Sequence, residues 1–228
     1  PERFFNFGVA EQNMMATAAG LASCGRIVFA STFAIFATGR AWDQVRNTIS
    51  YNNFNVKIVA THAGITVGPD GASHQSIEDI ALMRVIPNMN IIVPCDGPQT
   101  REAVMACVDI PGPCYIRLGR PKVPTVENKG EFKFGKAQVL RQGKDATIIA
   151  CGVMVIPVLE AAESLSKKGT EVSVINMHTI KPLDRDVVLK AARETGGIVV
   201  CEEHAIIGGL ASSIDEIVAV NFPVKVMR

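Results

Sequence analysis

Short apolar runs rich in β-branched residues alternate with longer segments of helical period along most of this 228-residue chain. A strand that is apolar over its whole length is buried on both faces, and strands separated by helices form a parallel sheet covered by those helices. The alternation therefore predicts an α/β protein with doubly wound, mainly parallel sheets. It excludes an all-helical fold and a purely antiparallel one.

The alternation occurs in two blocks. Predicted strands of the first block are "RIVFAST", "VKIVATHA", "NIIVPCD" and "CYIRLG", and those of the second are "ATIIACG", "EVSVINM", "GIVVCEE" and "PVKVM". Between the blocks, the stretch after Pro121 is polar and punctuated by Pro and Gly, which is typical of a linker. We expect a domain at 1–121 that lacks its first elements, a linker at 122–144 ending in a hairpin or edge strand, and a smaller, truncated domain at 145–228.

Composition and charge exclude several classes of protein. With 48% hydrophobic and 20% charged residues the chain is not disordered, and a formal net charge of +1 without any Lys/Arg run gives no surface for nucleic acid. No apolar stretch is long enough to span a membrane. The six cysteines are scattered without a C-x-x-C pair, so we expect core thiols in a reducing cytoplasm and no metal site in this chain.

Ligands of open α/β sheets bind beyond the carboxyl ends of the strands. This rule selects four loops, at residues 31–36, 62–74, 118–120 and 202–209. A further candidate is Glu11, which precedes the small-residue helical segment "MMATAAGLA". Alone, a carboxylate in a first helical turn indicates only a favourable interaction with the helix dipole. Its functional interpretation depends on the other motifs.

Six segments of the chain form a recognisable set. They are "GVAEQNM" around Glu11, "STFAIF" with Phe33 and Phe36, "GPDGASHQ" with Asp70 and His74, "RLGR" ending at Arg120, and then "VINMHTIKPLD" and "EEHAIIGGLAS". In order and spacing they resemble the pyrimidine-binding and C-terminal domains of transketolase over essentially the whole chain. The resemblance implies transfer of a two-carbon ketol unit from a ketose phosphate to an aldose phosphate.

The resemblance also implies the cofactor thiamine diphosphate, which supplies carbanion chemistry that side chains lack. Family members bind ring nitrogen N1′ of its aminopyrimidine with a glutamate, and Glu11 occupies the matching position. Phe33 and Phe36 resemble the aromatic wall against that ring, Phe36 most closely, although a phenylalanine near a strand end is otherwise a core residue. Gly39 replaces a further aromatic residue that many transketolases carry, which leaves the far side of the pocket undefined.

The remaining motif residues resemble substrate ligands. Asp70 and His74 match residues that bind sugar hydroxyls near the reacting carbon, where His74 can also move protons. Arg120 matches the arginine that binds the terminal phosphate, because a guanidinium fork fits phosphate oxygens. His62 either lines the site or merely ends its strand. Arg117 either assists Arg120 or is turned elsewhere by strand alternation.

The family binds the diphosphate and Mg²⁺ on a separate domain, through a Gly-Asp-Gly motif and a downstream Asn, and no Gly-Asp-Gly occurs in this sequence. The resemblance therefore implies half a site. It implies a partner, an N-terminal transketolase subunit or domain that carries the Mg²⁺ ligands, within a homo- or hetero-oligomer. Alone, the chain is expected to be inactive. His178 and His204 are expected to be structural or interface residues.

Three other functions remain open at this point. A 1-deoxyxylulose-5-phosphate synthase or an E1β-type 2-oxoacid dehydrogenase subunit would share the fold and cofactor, but the pairing of Asp70 with His74 favours transketolase. A non-catalytic interaction subunit would not need Glu11, Phe36 and Arg120 together. A nucleotide-binding regulatory module is the weakest alternative, because no Gly-x-Gly-x-x-Gly follows a strand.

Overall fold

Two five-stranded sheets form the framework of the protein in the computed structural model, which describes residues 2–127 and 130–228. The strands are β1 (Val28–Phe33), β2 (Val56–Thr61), β3 (Asn90–Ile92), β4 (Cys114–Arg117), β5 (Gln138–Arg141), β6 (Ala146–Ala150), β7 (Val172–Asn176), β8 (Thr179–Lys181), β9 (Gly197–Cys201) and β10 (Lys225–Met227). The helices are α1 (Glu11–Ser23), α2 (Asp79–Arg84), α3 (Gly97–Asp109), α4 (Val155–Ser166), α5 (Arg185–Thr195) and α6 (Leu210–Asn221). Every strand predicted from the alternation is present.

The first sheet has the order β1-β2-β4-β3-β8, and its first four strands are parallel. All four residues of β4 are buried, as a strand covered on both faces requires. Because β1, β2 and β4 are neighbours, their carboxyl ends lie side by side. The loops that follow these three strands therefore meet at one edge of the sheet.

The second sheet has the order β10-β9-β6-β7-β5, with only β5 antiparallel. β5 is the edge strand predicted for the end of the linker. The second half also contributes β8, which the alternation does not predict and which pairs antiparallel with β3 of the first sheet. The predicted fold class, two α/β units with mainly parallel sheets, is confirmed. The boundaries at 121 and 145 stay predictions.

The two halves share one hydrophobic core. Its buried side chains include Met15 of α1, Ile58 of β2 and Ile91 of β3 together with Leu210 and Ile214 of α6. Full burial of one such side chain stabilises the fold by about 1.5–3 kcal/mol. The core therefore packs the second half of the chain against the first.

The segment after β1 departs from the uniform helix that its sequence predicts. It contains two π-helical segments, Phe36–Arg40 and Gln44–Ser50. Within the first, Thr38 donates its buried hydroxyl hydrogen bond to the carbonyl of Ala34 at 2.9 Å. Widened helical turns of this kind occur frequently at functional sites.

Cys95, Cys107, Cys114 and Cys151 are buried as predicted, and Cys201 is partly buried. The prediction is wrong for Cys24, which is exposed because it follows the last turn of α1 at the surface. Within residues 2–127 and 130–228, no helix combines the length and hydropathy that a membrane crossing requires. The same residues contain no cluster of three or more His, Cys, Asp or Glu side chains that could hold a metal ion.

Candidate active site

Glu11 begins α1 and is only 6% exposed. Its Oε2 accepts a hydrogen bond from Arg40 Nη1 at 2.8 Å, and the guanidinium of Arg40 lies over the Phe36 ring, 4.3 Å from the ring centroid. A buried carboxylate is costly unless it is paired, and Arg40 provides that pairing. A buried acid, a cation and an aromatic face are thus in direct contact.

Four rings form an aromatic cluster at the ends of β1 and β2. Phe33 stacks on His62 with a centroid separation of 3.7 Å and on Phe36 at 6.0 Å. The ring of His74 meets Phe36 edge-on at 5.4 Å and Phe33 at 6.0 Å. His62 has φ of 60°, a left-handed conformation that is uncommon outside glycine and that often marks functional sites. The ring of His62 thus packs in the cluster, and its role in lining the site stays a prediction.

Residues 64–76, which we call the glycine-rich loop, are closed at a neck. Gly64 and Ser76 exchange two backbone hydrogen bonds there, of 2.8 and 3.1 Å. Two short 3₁₀ turns form the tip of the loop and end at Asp70 and His74. The closed neck makes the loop one unit, so the two predicted substrate ligands are placed together.

Asp70 links the glycine-rich loop to two basic side chains. Its Oδ2 lies 3.2 Å from Arg120 Nε and 3.6 Å from His62 Nε2. The guanidinium of Arg120 packs against the bare face of Gly68, where a Cβ atom would lie 2.6 Å from Nη1. Asp70 and Arg120 remain 32% and 39% exposed, so this pair can rearrange around a ligand.

These contacts connect the predicted site residues in one continuous series. The series runs from Glu11 through Arg40 to Phe36, then through the ring cluster to His62, and ends at Asp70 and Arg120. The sequence-predicted members that the structure brings together are Glu11, Phe33, Phe36, His62, Asp70, His74 and Arg120.

Arg117, whose direction the sequence left open, is turned into the fold. Its Nε and Nη2 bind the carboxylate of Asp79 at 2.7 and 3.1 Å, and Tyr115 donates its hydroxyl to the same carboxylate at 2.7 Å. Nη2 also donates to the carbonyls of Ser76 and Glu203, at 3.2 and 2.8 Å. Burial alone would lower the pKa of Arg117, but the Asp79 carboxylate raises it above its ordinary value. Arg117 is a structural residue at the junction of the two halves.

The loop after β9 makes contacts with α6 and α2 and does not form an open site. The carboxylate of Glu202 accepts the N–H groups of Leu210 and Ala211 at 2.7 and 2.9 Å, which satisfies the start of α6. His204 accepts the N–H of Ala81 through Nε2 at 3.3 Å. The carboxylate of Glu202 therefore fills the place beside Gly209 where an anion could otherwise bind.

His178 is fully buried beside Phe132, with the ring centroids 4.4 Å apart. Its Nδ1 lies 3.0 Å from Thr179 Oγ1. Burial lowers the pKa of His178 to about 4, so the ring is neutral at physiological pH. His178 is thus packed inside the protein.

Arg40 is the site residue that sequence reasoning missed. It follows Gly39, and its guanidinium lies over the ring of Phe36. Two signals could have found it. Residues four apart on a helix face each other, as Phe36 and Arg40 do, and a buried Glu11 requires a partner.

Comparison with known proteins identifies the family to which the two halves of the chain belong. Residues 1–125 match the family described as "Transketolase, pyrimidine binding domain", and residues 135–228 match "Transketolase, C-terminal domain". The chain belongs to the transketolase family.

Transketolase sections are prominent among its curated relatives. A putative transketolase C-terminal section of Methanocaldococcus jannaschii is 49% identical over 97% of this chain and 70% of its own length. A 6-deoxy-6-sulfo-D-fructose transketolase subunit of Clostridium sp. is 44% identical over 100% of this chain and 71% of its own length. An apulose-4-phosphate transketolase subunit of Phocaeicola vulgatus is 42% identical over 100% of this chain and 74% of its own length.

Solved transketolase structures share the fold. One described as a split gene transketolase, inactive beta4 tetramer, has a TM-score of 0.93 at 51% identity and covers 100% of this chain and 74% of that chain. Transketolase from Campylobacter jejuni has a TM-score of 0.80 at 26% identity, over 97% of this chain and 34% of that chain. The chain corresponds to the C-terminal part of a transketolase, and its relatives include subunits of split enzymes.

Proposed function

We propose that this chain supplies the pyrimidine-binding half of a thiamine-diphosphate-dependent transketolase. The reaction transfers a two-carbon ketol unit from a ketose phosphate to an aldose phosphate, as in the pentose phosphate interconversions. The observation that carries the proposal is the continuous series of contacts from the buried Glu11 to the half-exposed Arg120. A non-catalytic subunit has no need of a buried acid, an aromatic cluster and an acid–arginine pair along one edge.

The residues around Glu11 fit the aminopyrimidine ring of the cofactor. The guanidinium of Arg40 is itself a flat group that donates an N–H to Glu11 and stacks on Phe36, so this place accepts a planar hydrogen-bonding group. When bound, thiamine diphosphate supplies the carbanion chemistry that breaks and forms the carbon–carbon bond.

The side chains of this chain then have distinct roles in the proposal. Glu11 holds N1′ of the ring in a low-dielectric place, where a charge-assisted hydrogen bond is stronger than in water. Phe36 stacks on the ring, and Phe33 stacks on Phe36. Arg40 must release Glu11 before the ring binds, since both use the same carboxylate and the same aromatic face.

The other end of the series binds the sugar. Asp70 and His74 orient the hydroxyl groups next to the reacting carbon, and His74 moves protons there. His62 orients Asp70, and Arg120 binds the terminal anion of the substrate. Relatives named for a sulfonated fructose and for a sugar 4-phosphate support a donor that carries an anion far from its carbonyl.

A partner completes the site in this proposal. An N-terminal transketolase subunit or domain contributes the diphosphate-binding surface and the Mg²⁺ ligands, and the active species is an oligomer in the cytoplasm. The relative described as an inactive beta4 tetramer supports the expectation that the C-terminal part alone is inactive.

Turnover measured on purified chain, with thiamine diphosphate and Mg²⁺, tests the proposal. We expect ketol transfer between sugar phosphates only when an N-terminal transketolase subunit is added. Pyruvate as the donor is the control for the synthase and dehydrogenase alternatives. A folded mixed complex that is silent with sugar phosphates, or that uses pyruvate instead, contradicts the proposal.

A further inference from the structure

We propose that Glu203, in the second half of the chain, is a positioning residue that holds the neck of the glycine-rich loop and thereby sets the places of Asp70 and His74. The inference deepens the proposed function and rests on it for the roles of those two side chains. It gives the C-terminal domain a direct part in substrate binding without contact with the substrate.

Glu203 is a nearly buried acid with an unusual environment. It follows β9, is 9% exposed, and accepts a hydrogen bond from Thr66 Oγ1 at its Oε2, at 3.1 Å. No cation forms an ion pair with it within residues 2–127 and 130–228. Burial raises the pKa of its carboxyl. A nearly buried acid contributes little to stability by itself, so its presence calls for another reason.

Its carboxylate packs against the bare face of Gly64. A Cβ atom on Gly64 would lie 2.1 Å from Glu203 Oε2, so the acid fills the space that any side chain would take. Gly64 has φ of 83°, which also favours glycine. Gly64 and Ser76 form the neck of the loop, so the contact is made where the loop closes.

The opposite side of the neck is tied to the same residue. Arg117 Nη2 donates both to the carbonyl of Ser76 and to the carbonyl of Glu203. Glu203 therefore acts on Gly64 through its side chain and on Ser76 through its backbone and Arg117. Since the tip of a closed loop follows its neck, the position of Glu203 determines where Asp70 and His74 lie.

The adjacent Glu202 provides a matched control. Its carboxylate caps α6 through Leu210 and Ala211 and packs against Gly209, with no described contact to the glycine-rich loop. Substitution of Glu202 tests the general effect of losing a partly buried acid from this segment. Only Glu203 is expected to affect the loop.

The first arm of the test is hydrogen exchange on the purified full chain. In Glu203→Ala, the amides of residues 64–76 are expected to exchange about tenfold faster, because the loop opens locally. In Glu202→Ala, faster exchange is expected in α6 and not in the loop. Thr66→Val removes the hydroxyl donor and is expected to give a smaller increase in the exchange of the same loop amides.

The second arm is kinetics in the complex with an N-terminal subunit. Glu203→Ala is expected to raise KM for the ketose phosphate about tenfold, while the Kd of thiamine diphosphate changes less than about twofold, since Glu11 and Phe36 lie outside the loop. Glu203→Gln keeps an acceptor oxygen, and its KM is expected to lie close to that of the wild type.

The outcomes separate the two proposals. Unchanged loop exchange in a folded Glu203→Ala chain overturns the inference. The inference is also overturned if kcat falls and both KM and the Kd of the cofactor rise by the same factor, together with a lower melting temperature. If Glu203→Ala does not fold, Thr66→Val decides in the same way. If the wild-type mixture is inactive, the proposed function fails, but the exchange arm still tests the positioning role.

Discussion

The chain contains two arginine–aspartate pairs near the end of β4, and they differ in almost every physical respect. Arg117 and Asp79 are 6% and 0% exposed and make two hydrogen bonds of 2.7 and 3.1 Å. Arg120 and Asp70 are 39% and 32% exposed and are joined by one contact of 3.2 Å. The same residue types thus form a closed structural junction and an open pair that a ligand can separate.

The difference follows from the position along the chain. Arg117 is the last residue of β4, and its buried side chain binds Asp79, the first residue of α2. Arg120 lies beyond the strand and rests on Gly68 of the glycine-rich loop. Burial, rather than charge, distinguishes the two pairs.

Removal of each aspartate tests this comparison with the largest expected effect. Asp79→Ala leaves Arg117 buried without its carboxylate and is expected to lower the free energy of unfolding by about 3–5 kcal/mol. Asp70→Ala breaks a partly exposed pair and is expected to cost less than about 1 kcal/mol. Urea unfolding of the two variants measures both values, and equal losses would contradict the distinction.

The dependence of stability on acid pH tests the burial of His178. The pKa of His178 is lowered to about 4 in the folded chain, from an ordinary value near 6.5, so the unfolded chain takes up the proton first as the pH falls. The contribution to stability is full above pH 6.5 and is lost as the pH falls toward 4, by up to about 3 kcal/mol. His178→Gln is expected to flatten this part of the profile of unfolding free energy against pH. An unchanged profile would show that His178 is not the titrating group.

Arg120→Ala tests the partly exposed pair of the comparison. In the reconstituted enzyme, KM for the ketose phosphate is expected to rise about 10- to 100-fold, because a guanidinium–phosphate fork is lost, with little change in melting temperature. Arg120→Lys keeps the charge and is expected to lie in between. A ketose without a terminal phosphate is the control, since its KM should not change. An equal rise in KM for both sugars would contradict the assignment of Arg120 to the terminal phosphate.

Arg40→Ala gives the smallest expected effect. It removes the group that occupies Glu11 and the Phe36 face, so the apparent Kd of thiamine diphosphate in the complex is expected to fall about threefold. Fluorescence titration of the complex measures this Kd. Weaker binding in Arg40→Ala would indicate that Arg40 assists the cofactor instead of competing with it.

Periodicity predicted most of the fold, because buried parallel strands have an unmistakable apolar pattern. It could not predict β8, a three-residue strand whose partner, β3, lies in the other half of the chain. It also missed the π-helical segments after β1, since their widened turns keep a helical pattern of apolar residues.

The candidate site was predictable as a set of residues, but not as a set of contacts. Motif resemblance selected Glu11, Asp70 and Arg120, which the structure places in one series. The roles of Arg40 and Arg117 depend on side-chain direction, and strand or helix spacing alone does not determine which partner a long side chain reaches. The functional roles of all these residues stay predictions until they are measured.

Turnover of Glu11→Gln in the complex with an N-terminal subunit tests the central claim most directly. The amide keeps the size of Glu11 but cannot provide the same charged acceptor for the ring nitrogen. We expect ketol transfer to fall at least about a hundredfold, with assembly and melting temperature unchanged. Turnover within about threefold of the wild type in a fully assembled complex would contradict the assignment of Glu11 and the half-site built around it.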